Sequence, residues 1–400
     1  MDRLTRSKVK FSDRTQWDMA ETPWARTVAG MRASGLPYFD LTASNPTHCE
    51  LEYDAAAILG PLSAPQALEY DPNPRGSLPA RQAVARYYAR HGASLDPEHV
   101  LLTTSTSEGY SNLFRLLCNP GDEVLIAQPS YPLFDFLARL DDVRLSPYEL
   151  FYDHGWHIDL DGLRRRVNSR PSGKTRAIAV VHPNNPTGHW THAQDRAALE
   201  EICREHGLAL IVDEVFLDYG ISGKGRSFAA GEHEVLTFVL SGLSKIAALP
   251  QMKAAWIACF GEGSELAEAL ERLEVIADTF LSVNAPVQCA LPEWLEGRNR
   301  MQEQIRARTG RNLARLDSLL KQQTMVSRVE VEAGWYAVLR VPALAEDEAT
   351  ALALLTEKRV AVHAGYFFGF PNAGWLVVSL LPEEGEFAAG VAALLSAFPL

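Results

Sequence analysis

Short apolar runs alternate with segments of helical period through the middle of the chain, and this rhythm limits the fold more than any other feature. The runs are 99–104 (HVLLTT), 123–127 (EVLIA), 176–182 (RAIAVVH), 208–213 (LALIVD), 235–240 (VLTFVL) and 255–260 (AWIACF). Several are apolar throughout rather than alternating, which implies burial on both faces, as in parallel strands joined by crossover helices. Between them, 107–118 repeats Tyr110, Leu113, Phe114 and Leu117 at i, i+3, i+4, i+7, and 191–206 opens on Thr191 as an N-cap. The expected fold class is α/β.

Past about residue 290 the texture changes to a long charged helix (292–322), strands near 328–332 and 335–341, a helix near 347–357 and strands near 360–363 and 375–380, an order that suggests a smaller α+β domain. The first 45 residues, with Trp17, Pro23, Trp24 and Pro37, show little periodicity and read as an arm packed on the rest. The expected organisation is therefore an arm (1–45) against the small domain, a large domain (46–287) and a small carboxyl-terminal domain (288–400). The Gly-rich stretch 218–233 reads as a surface loop.

A formal charge of −12 works against nucleic acid and anionic membranes as partners, since both are met by Lys and Arg. No apolar run reaches the roughly 18 residues of a bilayer span, and 1–17 is too mixed for a signal peptide, so the expected location is cytoplasmic. Cys49, Cys118, Cys203, Cys259 and Cys289 show no C-x-x-C spacing and read as small core hydrophobes, with no metal site indicated. A small solute is the better partner.

In an open parallel sheet ligands bind beyond the carboxyl ends of the strands. Four polar groups stand there. Thr103 to Ser107 ends one strand and opens a helix, which makes either an ordinary N-cap or an anion site of free amides and hydroxyls. His182-Pro183-Asn184-Asn185-Pro186-Thr187-Gly188 is a tight turn that can present the Asn185 amide inward. Asp213-Glu214 follows LALIV, and a carboxylate buried there wants a cationic partner. Lys245, after Ser241-Gly242-Leu243-Ser244 and before an apolar stretch, is either a snorkelling lysine or a partly buried amine made nucleophilic by burial. Together these four are the parts needed to hold pyridoxal 5′-phosphate: phosphate at the helix start, amide on the ring oxygen, carboxylate on the ring nitrogen, lysine on the aldehyde.

At this point the chain resembles the class I/II aminotransferases, the fold-type I pyridoxal-phosphate-dependent enzymes. The resemblance rests on Ser44-Asn45-Pro46, Tyr70 with Arg75-Gly76, Thr103 to Glu108, Pro120 to Val124, Pro129-Ser130-Tyr131-Pro132, Asn184 to Gly188, Asp213 to Phe216, and Ser244-Lys245. It implies a large domain with a mostly parallel seven-stranded sheet flanked by helices, a smaller α+β domain, and a homodimer with shared sites. It also implies that Lys245 is the Schiff-base residue and proton shuttle, that Asp213 pairs with the pyridine nitrogen, that Asn185 bonds the ring oxygen and that Tyr131 stacks on the ring. Ser105, Thr106, Ser107 and Ser244 would hold phosphate, with Ser241 a weaker candidate, and Tyr70 would reach the phosphate of the neighbouring subunit.

Three departures from the family pattern matter. Lys253 stands where the family has a phosphate-binding arginine, keeping charge but not the bidentate fork. Phe216 stands where many members have a tyrosine hydroxyl on the ring oxygen. In Gly374-Trp375-Leu376-Val377-Val378-Ser379, Val377 stands where the family carries the arginine that grips the substrate carboxylate. Either another cation takes over, with Arg26 and Arg75 as candidates, or the substrate lacks a carboxylate there, and the Ala364 to Phe368 loop lines the substrate side. The expected activity is transfer of an amino group between an amino donor and a keto or aldehyde acceptor. The alternatives are another fold-type I activity (β-lyase, decarboxylase, synthase) or, from a different class, a cofactor-sensing regulator.

Overall fold

A computed structural model of the chain describes residues 9–132, 134–169, 174–223, 225–281 and 283–398. Its main sheet has eight strands, in the order Val100–Thr103, Ala255–Phe260, Thr237–Gly242, Ala209–Asp213, Thr175–Val181, Glu123–Gln128, Arg144–Tyr152, Trp156–Ile158. Pairing is parallel from Thr237–Gly242 through to Arg144–Tyr152 and antiparallel at both flanks. All six apolar runs became strands of this sheet. The eighth strand beyond the expected seven is Trp156–Ile158, the hairpin partner of Arg144–Tyr152. Neither of these two was legible as a buried run, because Arg144–Tyr152 alternates buried and exposed residues and holds Pro147, as a strand near a sheet edge does.

A second, four-stranded antiparallel sheet runs Ser327–Arg328, Tyr336–Arg340, Trp375–Ser379, His363–Ala364. One face (Ala337, Leu339, Leu376, Val378) packs with Leu313, Leu316, Leu354, Phe387 and Val391 from three helices. The other (Tyr336, Val338, Trp375, Val377) joins the apolar cluster that also holds Leu210, Val239 and Leu243 of the main sheet region. The functional groups described below stand where these two sheets meet.

Several sequence expectations are corrected. The charged stretch 292–322 is two helices, Ala285–Gly297 and Asn299–Leu320, with Pro292 inside the first. The amino-terminal arm contains a helix, Pro23–Ala33, capped by Thr22 and burying Val28 and Met31 against Leu355 and Ala361. Thr191 is not the N-cap of Ala193–His206; that place is held by His192, while the Thr191 amide donates to His182 Nδ1 at 3.1 Å. The 218–233 stretch is not all surface, because Ser227 to Ala230 are buried, and the Ser227 hydroxyl and Phe228 amide donate to the Glu214 carboxylate. That pairing answers with neutral donors the need for a cation that the sequence suggested for Glu214. Cys49, Cys203 and Cys259 are buried, whereas Cys118 and Cys289 are only partly so.

Trp256 shows what the main core carries. It is fully buried on Ala255–Phe260 and its indole N–H donates to the Tyr88 hydroxyl at 3.2 Å. Trp256→Ala is expected to cost about 3–5 kcal/mol through the cavity left behind. The urea unfolding midpoint is the readout, and an unchanged midpoint would contradict the packing described.

Candidate active site

Parallel pairing puts Val181, Asp213 and Leu240 in one register row, so the residues that follow each strand emerge at one sheet edge. That edge carries the Asn185 turn, Asp213 and the one-turn helix Leu243–Ile246 with Lys245. The turn is anchored from below: Asn184 Nδ2 donates to the Pro129 carbonyl at 3.2 Å and to Thr187 Oγ1 at 2.8 Å. Asn184 is therefore structural, and Asn185 is left free. The Lys245 carbonyl accepts from the Tyr219 hydroxyl and the Ile246 carbonyl from Gln302 Nε2, so the short helix is pinned by its backbone rather than by the lysine side chain.

Asp213 is 8% exposed and accepts the Val215 amide at 3.1 Å. Burial pushes its carboxyl up to about 6, opposed by that amide, by the adjacent Tyr110 hydroxyl and by the charge of Lys245. Lys245 moves the other way, down to about 8, because burial disfavours its ammonium more than Asp213 favours it. Its Nζ lies 4.8 Å from the centre of the Trp335 ring and 5.5 Å from that of Phe216. An amine lowered to about 8 is neutral over much of the range where an ordinary lysine is charged. Labelling of Lys245 in the cofactor-free protein by an amine-reactive reagent should therefore rise with a midpoint near pH 8. A midpoint near that of a free lysine would show the amine to be solvated.

The helix Thr106–Leu117 begins at Ser105, whose hydroxyl accepts the Glu108 amide at 3.1 Å, while the Glu108 carboxylate turns back to the Thr104 amide at 2.6 Å. The amides of Thr106 and Ser107 occupy the first turn, where a helix offers no partner of its own. Ser244 is partly buried beside Lys245, but the Ser241 hydroxyl is buried and donates to the Glu214 carbonyl at 3.4 Å, which occupies it. Phe216 is buried against Trp335 at 5.2 Å. Tyr131 is 42% exposed, and partial burial, with the nearby Asp213 charge, raises its phenol. Lys253 and Tyr70 are exposed, Tyr70 at 82%.

The two arginines considered as substitutes at Val377 are committed elsewhere. Arg26 is exposed and donates to the Glu21 carbonyl, and Arg75 is held by Glu274 and the Glu98 carbonyl. Val377 itself is fully buried, paired across the sheet with Val338 and His363. Sequence reasoning missed Trp335, Tyr110 and Tyr336, whose hydroxyl bonds Ser44. Only the Gly334-Trp335-Tyr336 run, two large rings after a glycine, hinted at the first and last.

The buried amide oxygen of Asn185 makes no hydrogen bond among the described residues, a state that costs about 1–3 kcal/mol unless a ligand group meets it. That orphan acceptor, a buried carboxylate and a lysine amine lowered to about 8 suit a ring with a basic nitrogen, a hydroxyl to donate and an aldehyde, so the residues fit pyridoxal phosphate. A site of this kind on a doubly wound sheet defines an enzyme of amine–carbonyl chemistry. Residues 39–391 match the family described as Aminotransferase class I and II, and the chain belongs to that family, which uses pyridoxal phosphate. It is 28% identical over 381 residues to an alanine aminotransferase of Mycobacterium tuberculosis, covering 92% of this chain and 87% of that one. It is 27% identical to the glutamate-pyruvate aminotransferase AlaA of Escherichia coli over 78% of each. Its fold matches that of an alanine aminotransferase from Pyrococcus furiosus with a TM-score of 0.86 at 21% identity, over 97% of this chain and 99% of that one. The protein is an aminotransferase.

Proposed function

We propose that Lys245 is the residue through which this aminotransferase works: its amine would hold the cofactor by its aldehyde, and the same amine would carry the proton at the substrate carbon in both halves of the transfer. When bound, pyridoxal phosphate supplies an electron sink for the bond broken at that carbon. Asp213 would hold a proton on the ring nitrogen, Asn185 would meet the ring oxygen and Tyr131 would cover a ring face. The Thr106 and Ser107 amides and hydroxyls, with Ser105, Ser244 and Lys253, would take the phosphate. Phe216 offers no hydroxyl, so Asn185 meets the ring oxygen without that help. We place the enzyme in the cytoplasm as a homodimer in which the exposed Tyr70 of one copy reaches the phosphate held by the other.

The carrying observation is that a buried carboxylate, Asp213, and the amine of Lys245 follow neighbouring parallel strands, with burial moving their titrations toward each other, up for Asp213 and down for Lys245. Added pyridoxal phosphate should give a visible absorption band, and borohydride reduction should fix the cofactor's mass on the peptide containing Lys245. A protein that stays colourless, or one labelled at another lysine, rules the reading out.

A further inference from the structure

Two large rings stand beside Lys245. Trp335 and Phe216 stand 4.8 and 5.5 Å from its Nζ, and the strand that follows Trp335 continues with Tyr336 and Val338 on the face that carries Val377 and Trp375. Phe370 lies 4.8 Å and Trp156 5.9 Å from the Trp375 ring, ring centre to ring centre. The Tyr336 hydroxyl is taken by Ser44. His363, paired with Val377, is held neutral by burial, its ring down to about 4, and stacks on Phe367 at 5.6 Å.

Two further arginines near this face have other partners. Arg340 shares the strand face but lies five residues beyond Trp335, roughly 16 Å along a strand, with its guanidinium 4.1 Å over the Trp375 ring. Arg308 is held by the Cys49 and Leu381 carbonyls. The charge acting on Lys245 is that of Asp213, which is negative. A carboxylate on the reacting carbon would thus lose water against rings and valines, and none of Arg26, Arg75, Arg308 and Arg340, among the described residues of this chain, is placed to offset the loss.

We propose that the amino donor is a primary amine with an apolar or aromatic body and no carboxylate on the reacting carbon, and that Trp335, Val338 and Val377 set this preference. The inference rests on the reading of Lys245 given above. In the transfer, R–CH2–NH2 leaves as R–CHO. Its C–N bond breaks and its carbon is oxidised by two electrons; the nitrogen, one proton from that carbon and the electron pair of that C–H bond would go to the carbonyl that takes the nitrogen, which is reduced to an amine, and the oxygen is balanced by one water released on condensation and one consumed on hydrolysis. An aldehyde or ketone acceptor then takes the nitrogen by the reverse sequence.

The test compares pairs that differ only by the carboxylate, 2-phenylethylamine against L-phenylalanine and 3-methylbutylamine against L-leucine, on the cofactor-loaded enzyme. Loss of the visible band and the aldehyde or keto acid formed are followed. The amines should show kcat/KM at least tenfold higher. Equal or better reaction of the amino acids overturns the inference while leaving aminotransfer intact, and reaction with neither class overturns the inference, the borohydride labelling of Lys245 testing the underlying reading separately. Val377→Arg should shift the phenylalanine-to-phenylethylamine ratio at least tenfold toward the amino acid, and no shift counts against the role of Val377. Should that variant not fold, binding of 3-phenylpropionate and of its uncharged amide to the wild-type holoenzyme decides: the amide should bind at least tenfold tighter, and tighter binding of the carboxylate overturns the proposal.

Discussion

Lys245→Ala is expected to lower turnover by at least about 10⁴-fold, the combined loss of a nucleophile and of the group that moves the proton. The visible band should vanish with it. Fold is not at stake, because the short helix is held through the Lys245 and Ile246 carbonyls and not through the amine. Lys245→Arg separates charge from nucleophilicity: it keeps a cation near Asp213 and should be as inactive as the alanine variant. The measurement is kcat with the best donor and acceptor pair, beside a melting curve for each variant. Residual activity within about tenfold of wild type would remove Lys245 from the mechanism.

Asp213→Asn is expected to reduce kcat by about 10²–10³-fold, the range found when one preorganised charge is taken from a dry site. Asp213→Glu should recover part of this if charge, and not shape alone, is what matters. The same substitution carries a stability signature. The folded carboxyl titrates near 6, above its unfolded value of 3.8, so the folded state binds this proton more tightly. Stability from this group is present below about pH 4 and is lost as pH rises through 6. Cofactor-free wild type should therefore lose stability between pH 4 and 6 relative to Asp213→Asn, with the variant at least as stable at pH 7. Melting temperatures across pH 4–7 check this, and identical pH profiles would mean that Asp213 is solvated or already paired.

These effects concentrate on residues that were visible from the sequence for a definite reason. Asp213 ends a five-residue strand buried throughout, and a carboxylate in that position is costly whatever the rest of the chain does. Asn185 and Lys245 follow strands of the same kind. Trp335 gave little warning, because its importance is a contact with a residue ninety positions earlier, across two sheets. Arg144–Tyr152 escaped for the opposite reason: as a strand near the edge its pattern alternates, and Pro147 speaks against a central strand.

The order of apolar runs by itself determined that the sheet is mostly parallel, and with it that Asn185, Asp213 and Lys245 emerge at one edge, since parallel strands share the direction in which they end. Only the tertiary structure decided which surfaces face that edge. The smaller sheet turns Tyr336, Val338, Trp375 and Val377 toward it, and the arginines that might have served there are drawn to acids, carbonyls or a ring elsewhere. Burial and charge pairing act between residues hundreds of positions apart, and local periodicity carries no record of them.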